Sequence, residues 1–469
     1  MTSTSRLRAG PSGLPPVAVA LAALLAACTL ESGSRRAEPH RDADATPAPT
    51  PARGAALPAL RERDAPRPTP ARTPPALDHE LLLSVLVARA PRVAIQLESE
   101  CRLEAPGLAT LVGPGTLVFE GRAGGWQIAG DGRGASAAGV LRSGGRPVFA
   151  LDATPIFGAP RRLSLSGDLV LSPAQGELEV IERVRMEDYV ASVVAAEMNP
   201  KWPASALAAQ AIVARSYAAA RWMERIDEPW QLHWHFGVDM AYHGWSTSSE
   251  SVARTIAPTR GEVLVFGGFP VLALFHASSG GRTEAFERVK PGVLAPDGKT
   301  PIAAAMPVIE DEAAEPGAAG LALSSSHGRW KTDIPLPELT QTLQKWSQSA
   351  PGRPPFGEVE AVSILERHPD SSRVAQVSIR HRLDGAERFT PLAAADFRLA
   401  VGPVRVRSLW WERCVIASQS PGYLVLEGRG FGHGCGLSQV SAWYLATQGA
   451  SPEDIVARFY AGARIERCY

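Results

Sequence analysis

Met186-Glu187-Asp188-Tyr189-Val190-Ala191-Ser192-Val193-Val194-Ala195-Ala196-Glu197-Met198 reads as a helix. Tyr189, Val193 and Glu197 recur at four-residue intervals, so the Glu197 carboxylate falls in line with an apolar stripe and not on a solvated face. Asn199-Pro200 stops the helix, because proline disfavours the helical conformation in the residue before it. Glu197 therefore sits in the last turn. Desolvation and the negative end of the helix dipole both favour its uncharged form there, the state a general acid needs near neutral pH. Glu187 and Asp188 fall in the first turn, where anions stabilise a helix, and are read as structural. A buried glutamate paired with an arginine would give the same periodicity, so the helix alone leaves two roles open for Glu197.

Outward from this helix, Trp202-Pro203 opens a second one through Ala208-Ala209-Gln210-Ala211-Ile212-Val213-Ala214-Arg215-Ser216-Tyr217. Its alanines permit close packing, while Gln210, Tyr217 and Arg221 fall along one side. Residues 262–275 switch to strand, with Val263, Val265, Val271 and Leu274. That strand runs into Phe275-His276-Ala277-Ser278-Ser279-Gly280-Gly281-Arg282-Thr283-Glu284, a small polar turn whose backbone can approach a ligand closely. No G-x-S-x-G elbow precedes it, which argues against a serine hydrolase. Near the C-terminus, Gly428-Arg429-Gly430-Phe431-Gly432-His433-Gly434-Cys435-Gly436-Leu437-Ser438-Gln439 has glycine at alternate positions. It is neither a dinucleotide fingerprint nor a P-loop. It is either a backbone lying flat on a ligand, with His433 and Gln439 lining a site, or a buried turn.

Acidic and basic residues balance at 48 each, which removes any net field toward DNA or RNA. Arg6, Arg8 and the apolar run Val17 to Ala27 read as a secretory signal, and Leu25-Ala26-Ala27-Cys28 resembles a bacterial lipobox, so lipidation is expected at Cys28. Residues 28–78 are rich in proline and alanine and read as a disordered tether. Ordered structure is expected from Glu80, as a helix through Leu86 and a strand at 92–97, followed by Gly-punctuated hairpins to 183. The Gly-, Ala- and Pro-rich stretch 286–325 reads as a surface excursion. Strands are expected at 359–365, 374–380 and 423–427, and helices at 437–447 and 452–460, the last capped by Ser451. Cys101, Cys414, Cys435 and Cys468 allow one or two disulfides, Cys414 with Cys468 among them, or stay unpaired. His233, His235 and His243 lack metal-site spacing.

Four ordered blocks resemble the stage II sporulation protein D family, also called amidase enhancers: 186–198, 209–217, 275–281 and 428–439. Looser likenesses occur at Ala241-Tyr242-His243-Gly244, Arg329-Trp330 and Phe397-Arg398 before Ser408-Leu409. Members are lytic transglycosylases or wall-binding relatives. The resemblance implies that Glu197, as the Glu of an E-M pair, is the catalytic acid cutting between N-acetylmuramic acid and N-acetylglucosamine of denuded glycan strands. Gln210, Arg215, Tyr217, Tyr242, His276, Ser278, Ser279, Gly280, Arg282, His433 and Gln439 would bind substrate, with Arg215, Arg282 or Arg429 meeting lactyl carboxylates. It also implies a possible amidase partner. Asn199 stands where the family often has proline, and Cys435 where valine is usual. No cysteine lies between 101 and 414, so the zinc bound by some relatives is not expected, nor any other cofactor.

The expected architecture is α+β: a signal at 1–27, the tether, a β-rich lobe at 79–183 and a domain at 184–469 with a helical catalytic core flanked by β-rich lobes. The expected setting is the cell envelope, lipid-anchored, on the periplasmic face of the outer membrane if the cell is Gram-negative. A non-catalytic glycan-binding amidase enhancer is the alternative, and a purely structural envelope lipoprotein the third reading.

Overall fold

Alternation governs the first described segment. Leu81, Leu83, Val85 and Val87 are buried, while Leu82 is 55% exposed, the period of two that a sheet imposes. The stretch expected as a helix through Leu86 is therefore the strand Leu82–Ala90. It pairs antiparallel with Glu177–Arg185 and parallel with Leu232–His233. A short apolar run fits either state, and the β-branched valines with strands on both sides decide it. Each such side chain, fully buried, contributes about 1.5–3 kcal/mol.

The computed structural model describes residues 79–143, 149–154, 160–314, 328–417 and 422–469. The expected signal, Cys28 and the tether lie outside them. Among the described residues the architecture is mixed α+β, with more strand than helix. The Gly-punctuated hairpins build a seven-stranded and a six-stranded sheet. Inward residues of both, such as Ile95, Phe119, Leu141 and Leu171, belong to one apolar cluster that continues into the helices through Val193, Ile212 and Phe459. A second cluster, spanning Trp330 to Leu426, lies among two three-stranded sheets and the helices Leu336–Gln348 and Ala394–Val401.

Helix α1 (Met186–Glu197) starts directly from the strand Glu177–Arg185. Met198 is extended and caps it through its amide to the Val194 carbonyl. After the turn at 199–203, α2 (Ala204–Glu224) runs through the core with buried alanines at nearly every turn, which lets neighbours pack on all its sides. Helix α3 (Thr247–Ile256) packs on both. The chain returns through the strand Glu262–Phe266, and Val271 and Leu274 are buried although no strand spans them. Ser451 caps the helix Pro452–Phe459 in a capping box with Asp454.

Residues 286–314, expected as a surface excursion, are exposed in part, with Leu294 at 45%, and in part anchored in the core. Phe286, Ile302, Ala305, Met306 and Ala314 are buried, and Asp311 is fully buried. Alanine buries without leaving a periodic trace, which is why composition misleads here. The rest of that stretch, 315–327, lies outside the described residues. All four described cysteines are free, so Cys414 and Cys468 do not bridge.

Candidate active site

Glu197 closes α1 with its carboxyl turned toward the segment that follows Asp239. The Ala241 amide donates to its Oε1 at 2.8 Å, and the Gln439 amide lies beside it. No basic side chain pairs with it among the described residues, so the buried Glu–Arg alternative does not apply. The residue is half-buried, yet the surrounding protein removes most water from the carboxyl. Burial pushes its pKa from 4.5 up to about 7, against the Ala241 and Gln439 hydrogen bonds that pull it down. The group can therefore hold and release a proton near neutral pH. On the same helix, the Tyr189 hydroxyl and Ser192 Oγ are buried without a protein partner. Such unpaired groups are uncommon in a folded interior and mark places where water or a ligand can supply the missing bond.

The Gly-rich segment and the 275–284 turn are welded together. Phe275 and His276 pair in parallel with Leu437 and Ser438, Ser278 exchanges backbone hydrogen bonds with Phe431, and Val440 N donates to the Ala277 carbonyl at 3.0 Å. This pairing delivers Gln439 to the start of the helix Gln439–Thr447. The alternating glycines make the fit possible. Gly436 has φ +72°, and a Cβ there would lie 1.9 Å from the Leu274 carbonyl oxygen. Gly436→Ala should cost about 2–3 kcal/mol of unfolding free energy, from left-handed strain and backbone collision. Chemical denaturation measures it; wild-type stability would contradict the tight pairing.

The expected substrate contacts divide. Arg215 is fully buried in an ion pair with Glu187, Nε to Oε1 at 2.9 Å, and also donates to the Glu262 carbonyl. It does not face Glu197's surroundings as a free cation. Tyr217 is buried and donates to Asp239 at 2.9 Å. Tyr242 is buried and donates to Glu182 at 2.8 Å. These three are interior residues, and their helical or loop spacing could not reveal partners 22 to 60 positions away. Gln210 is fully buried with neither amide atom partnered. His276 is buried, its Nδ1 at the Cys435 carbonyl and its ring 5.6 Å from that of His433. Burial holds both imidazoles neutral, His433 down at about 3. Ser278 and Ser279 are buried, and Gly280 lies against Arg429 and Gly430. Arg282 pairs with Glu310 and faces a hollow of about 600 Å³, lined with Glu287, Pro307 and Asp370, that does not contain Glu197. Of the expected set, Gln439 is the one whose side chain stands beside Glu197.

Two supporting residues escaped sequence reasoning. Asp311 accepts from Ser279 Oγ at 2.6 Å and Ser441 Oγ at 2.8 Å, pinning the 279–281 turn to the helix that begins at Gln439. Arg373, also buried, donates to the carbonyls of Ser279, Arg282 and Thr283, each at 2.9 Å. Nothing in the local sequence marks either. Among the described residues no group of three or more His, Cys, Asp or Glu side chains is placed to hold a metal, and no helix is long and apolar enough to cross a membrane.

With this geometry in place, comparison with known proteins shows what the chain is similar to. Residues 174–266, spanning α1, α2 and α3, match the family model described as stage II sporulation protein. Residues 322–436 match a second family model, described as a domain of unknown function. An uncharacterised protein of Brachyspira hyodysenteriae is 26% identical over 304 residues, 64% of this chain and 71% of the relative. Stage II sporulation protein D of Bacillus subtilis is 24% identical over 305 residues, 61% of this chain and 75% of the relative. The amidase enhancer of Bacillus subtilis is 21% identical over 290 residues, and the match spans 39% of its length.

Proposed function

We propose that this protein is a peptidoglycan lytic transglycosylase that cleaves between N-acetylmuramic acid and N-acetylglucosamine with Glu197 as acid and then base. The observation that carries this reading is a single half-buried carboxyl with no ion-pair partner and a pKa raised to about 7. In the acid form it donates its proton to the glycosidic oxygen as the bond breaks through an oxocarbenium-like transition state. The resulting carboxylate then takes the proton of the muramyl C6 hydroxyl as that oxygen bonds to C1. The product is a 1,6-anhydro sugar and no water is consumed, so one carboxylate suffices. An envelope location, lipid-anchored at Cys28, belongs to the same proposal.

A second reading, a glycan-binding enhancer of an amidase, is favoured by the likeness to the amidase enhancer. Incubation with glycan stripped of stem peptides distinguishes them. Transglycosylation yields anhydromuramyl ends by mass spectrometry. Glycan retention without new ends supports the enhancer, and new reducing ends without anhydro sugar would replace transglycosylation with hydrolysis.

A further inference from the structure

The residue that follows the amide holding Glu197 is itself held by a second carboxyl group. We propose that Glu182 is a positioning residue for Glu197: through Tyr242 it fixes the Ala241 amide against Oε1 and leaves Oε2 as the oxygen bearing the transferable proton. The chemistry assigned to that proton rests on the function proposed above.

Glu182 lies within the strand Glu177–Arg185 and is fully buried. Its Oε1 accepts the Ser166 and Gly167 amides, each at 2.9 Å. Its Oε2 accepts the Tyr242 hydroxyl at 2.8 Å. Three donors on one buried carboxylate leave it little freedom. Tyr242 is fixed at three points: by that hydroxyl, by its amide to the Trp234 carbonyl at 2.9 Å, and by its ring, stacked 4.9 Å from that of Tyr189. Two residues further on, Gly244 bridges to Ser164, and Trp245 N donates to the Ser164 carbonyl at 2.7 Å. The segment around Ala241 is thus clamped to the β-sheets and to α1 together. One residue before Tyr242, the Ala241 amide reaches Glu197.

A purely structural role, satisfying the amides of the 166–167 turn, needs only Oε1. The bond from Oε2 to Tyr242 is what that role leaves unexplained. An amide N–H is accepted best by the carbonyl-type oxygen of a neutral carboxyl, so a fixed Ala241 amide keeps the proton on Oε2. The other groups around Glu197 are the Gln439 amide and the Tyr189 hydroxyl, neither charged. Asp239, which also acts on Tyr189, is ion-paired with Arg221 and Arg225.

The test is Tyr242→Phe, which keeps the ring stack and removes the anchor. The titration of Glu197 is read without substrate, as the pH at which the stability of each background departs from that of its own Glu197→Gln derivative. Loosening the Ala241 amide removes a bond to the ionised form, so the midpoint should rise by about 0.5–1 unit. On denuded glycan, kcat should fall about 10- to 100-fold with KM unchanged. Glu182→Gln keeps an acceptor for the two amides and a partner for the hydroxyl, and should return both readouts toward wild type. The proposal is overturned if Tyr242→Phe only lowers stability and leaves the midpoint at the wild-type pH. A shifted midpoint in a protein that never cleaves glycan would uphold the positioning role and remove the transglycosylase reading instead.

Discussion

Glu197→Gln is expected to reduce the release of anhydro-ended glycan by about 10²- to 10⁴-fold, the range that positioned proton transfer contributes. Glutamine can still accept the Ala241 amide but has no acidic proton to give, so the loss should fall on kcat. The same substitution should make the fold more stable at alkaline pH. The folded pKa of about 7 lies above the ordinary 4.5, so the folded state binds the proton more tightly than the unfolded chain. That advantage is fully present below pH 4.5 and is lost as pH rises through about 7. The wild type is therefore penalised at pH 8 and the glutamine variant is not. A shift of this size corresponds to about 3 kcal/mol, and partial exposure reduces it to about 1–2 kcal/mol. Denaturation of both proteins at pH 4 and pH 8 measures the difference, which should appear only at the higher pH. Undiminished cleavage would remove Glu197 from catalysis, and an equal effect at both pH values would refute the desolvated carboxyl. Wild-type activity should decline above pH 7 on the same grounds.

Arg215→Ala should be the most damaging stability change, costing about 3–5 kcal/mol, the range for breaking a buried ion pair from one side. Both guanidinium nitrogens facing Glu187 lie 2.9 Å from its oxygens, and the arginine is wholly buried. Burial alone would raise the Glu187 pKa, but Arg215, Tyr469 and the Gly261 amide together hold it below the ordinary value. Once Arg215 is gone, Tyr469 and Gly261 remain as donors, and a buried negative charge has lost its counter-ion. Replacing both partners, as Glu187→Leu with Arg215→Met, should recover much of the loss, because no uncompensated charge remains. Urea denaturation of the two variants tests this. An Arg215→Ala protein of wild-type stability that no longer binds glycan would restore Arg215 to the substrate-binding role.

The sequence shows Glu197's neighbourhood well where helical periodicity carries it. Tyr189 and Val193 are fully buried, as their spacing from Glu197 requires. The Gly-rich strands and the Ser451 cap were equally readable, because turn chemistry is local. Long-range pairing was not. Glu187 in the first turn of α1 gave half of an ion pair, but its partner lies 28 residues on, and nothing in the intervening chain ties them. Arg215, Tyr217 and Tyr242, expected as ligand contacts, are buried with internal partners Glu187, Asp239 and Glu182. The strand Leu82–Ala90 was missed because seven apolar residues fit either periodicity until a neighbouring strand selects one.

The pairing of Phe275-His276 with Leu437-Ser438 places Gln439 beside an acid more than two hundred positions earlier in the chain. A newly made polypeptide carries Glu197 and Ala241 long before that glutamine exists. Under the proposed function, a copy in which that pairing has not formed lacks the Gln439 hydrogen bond beside the acid.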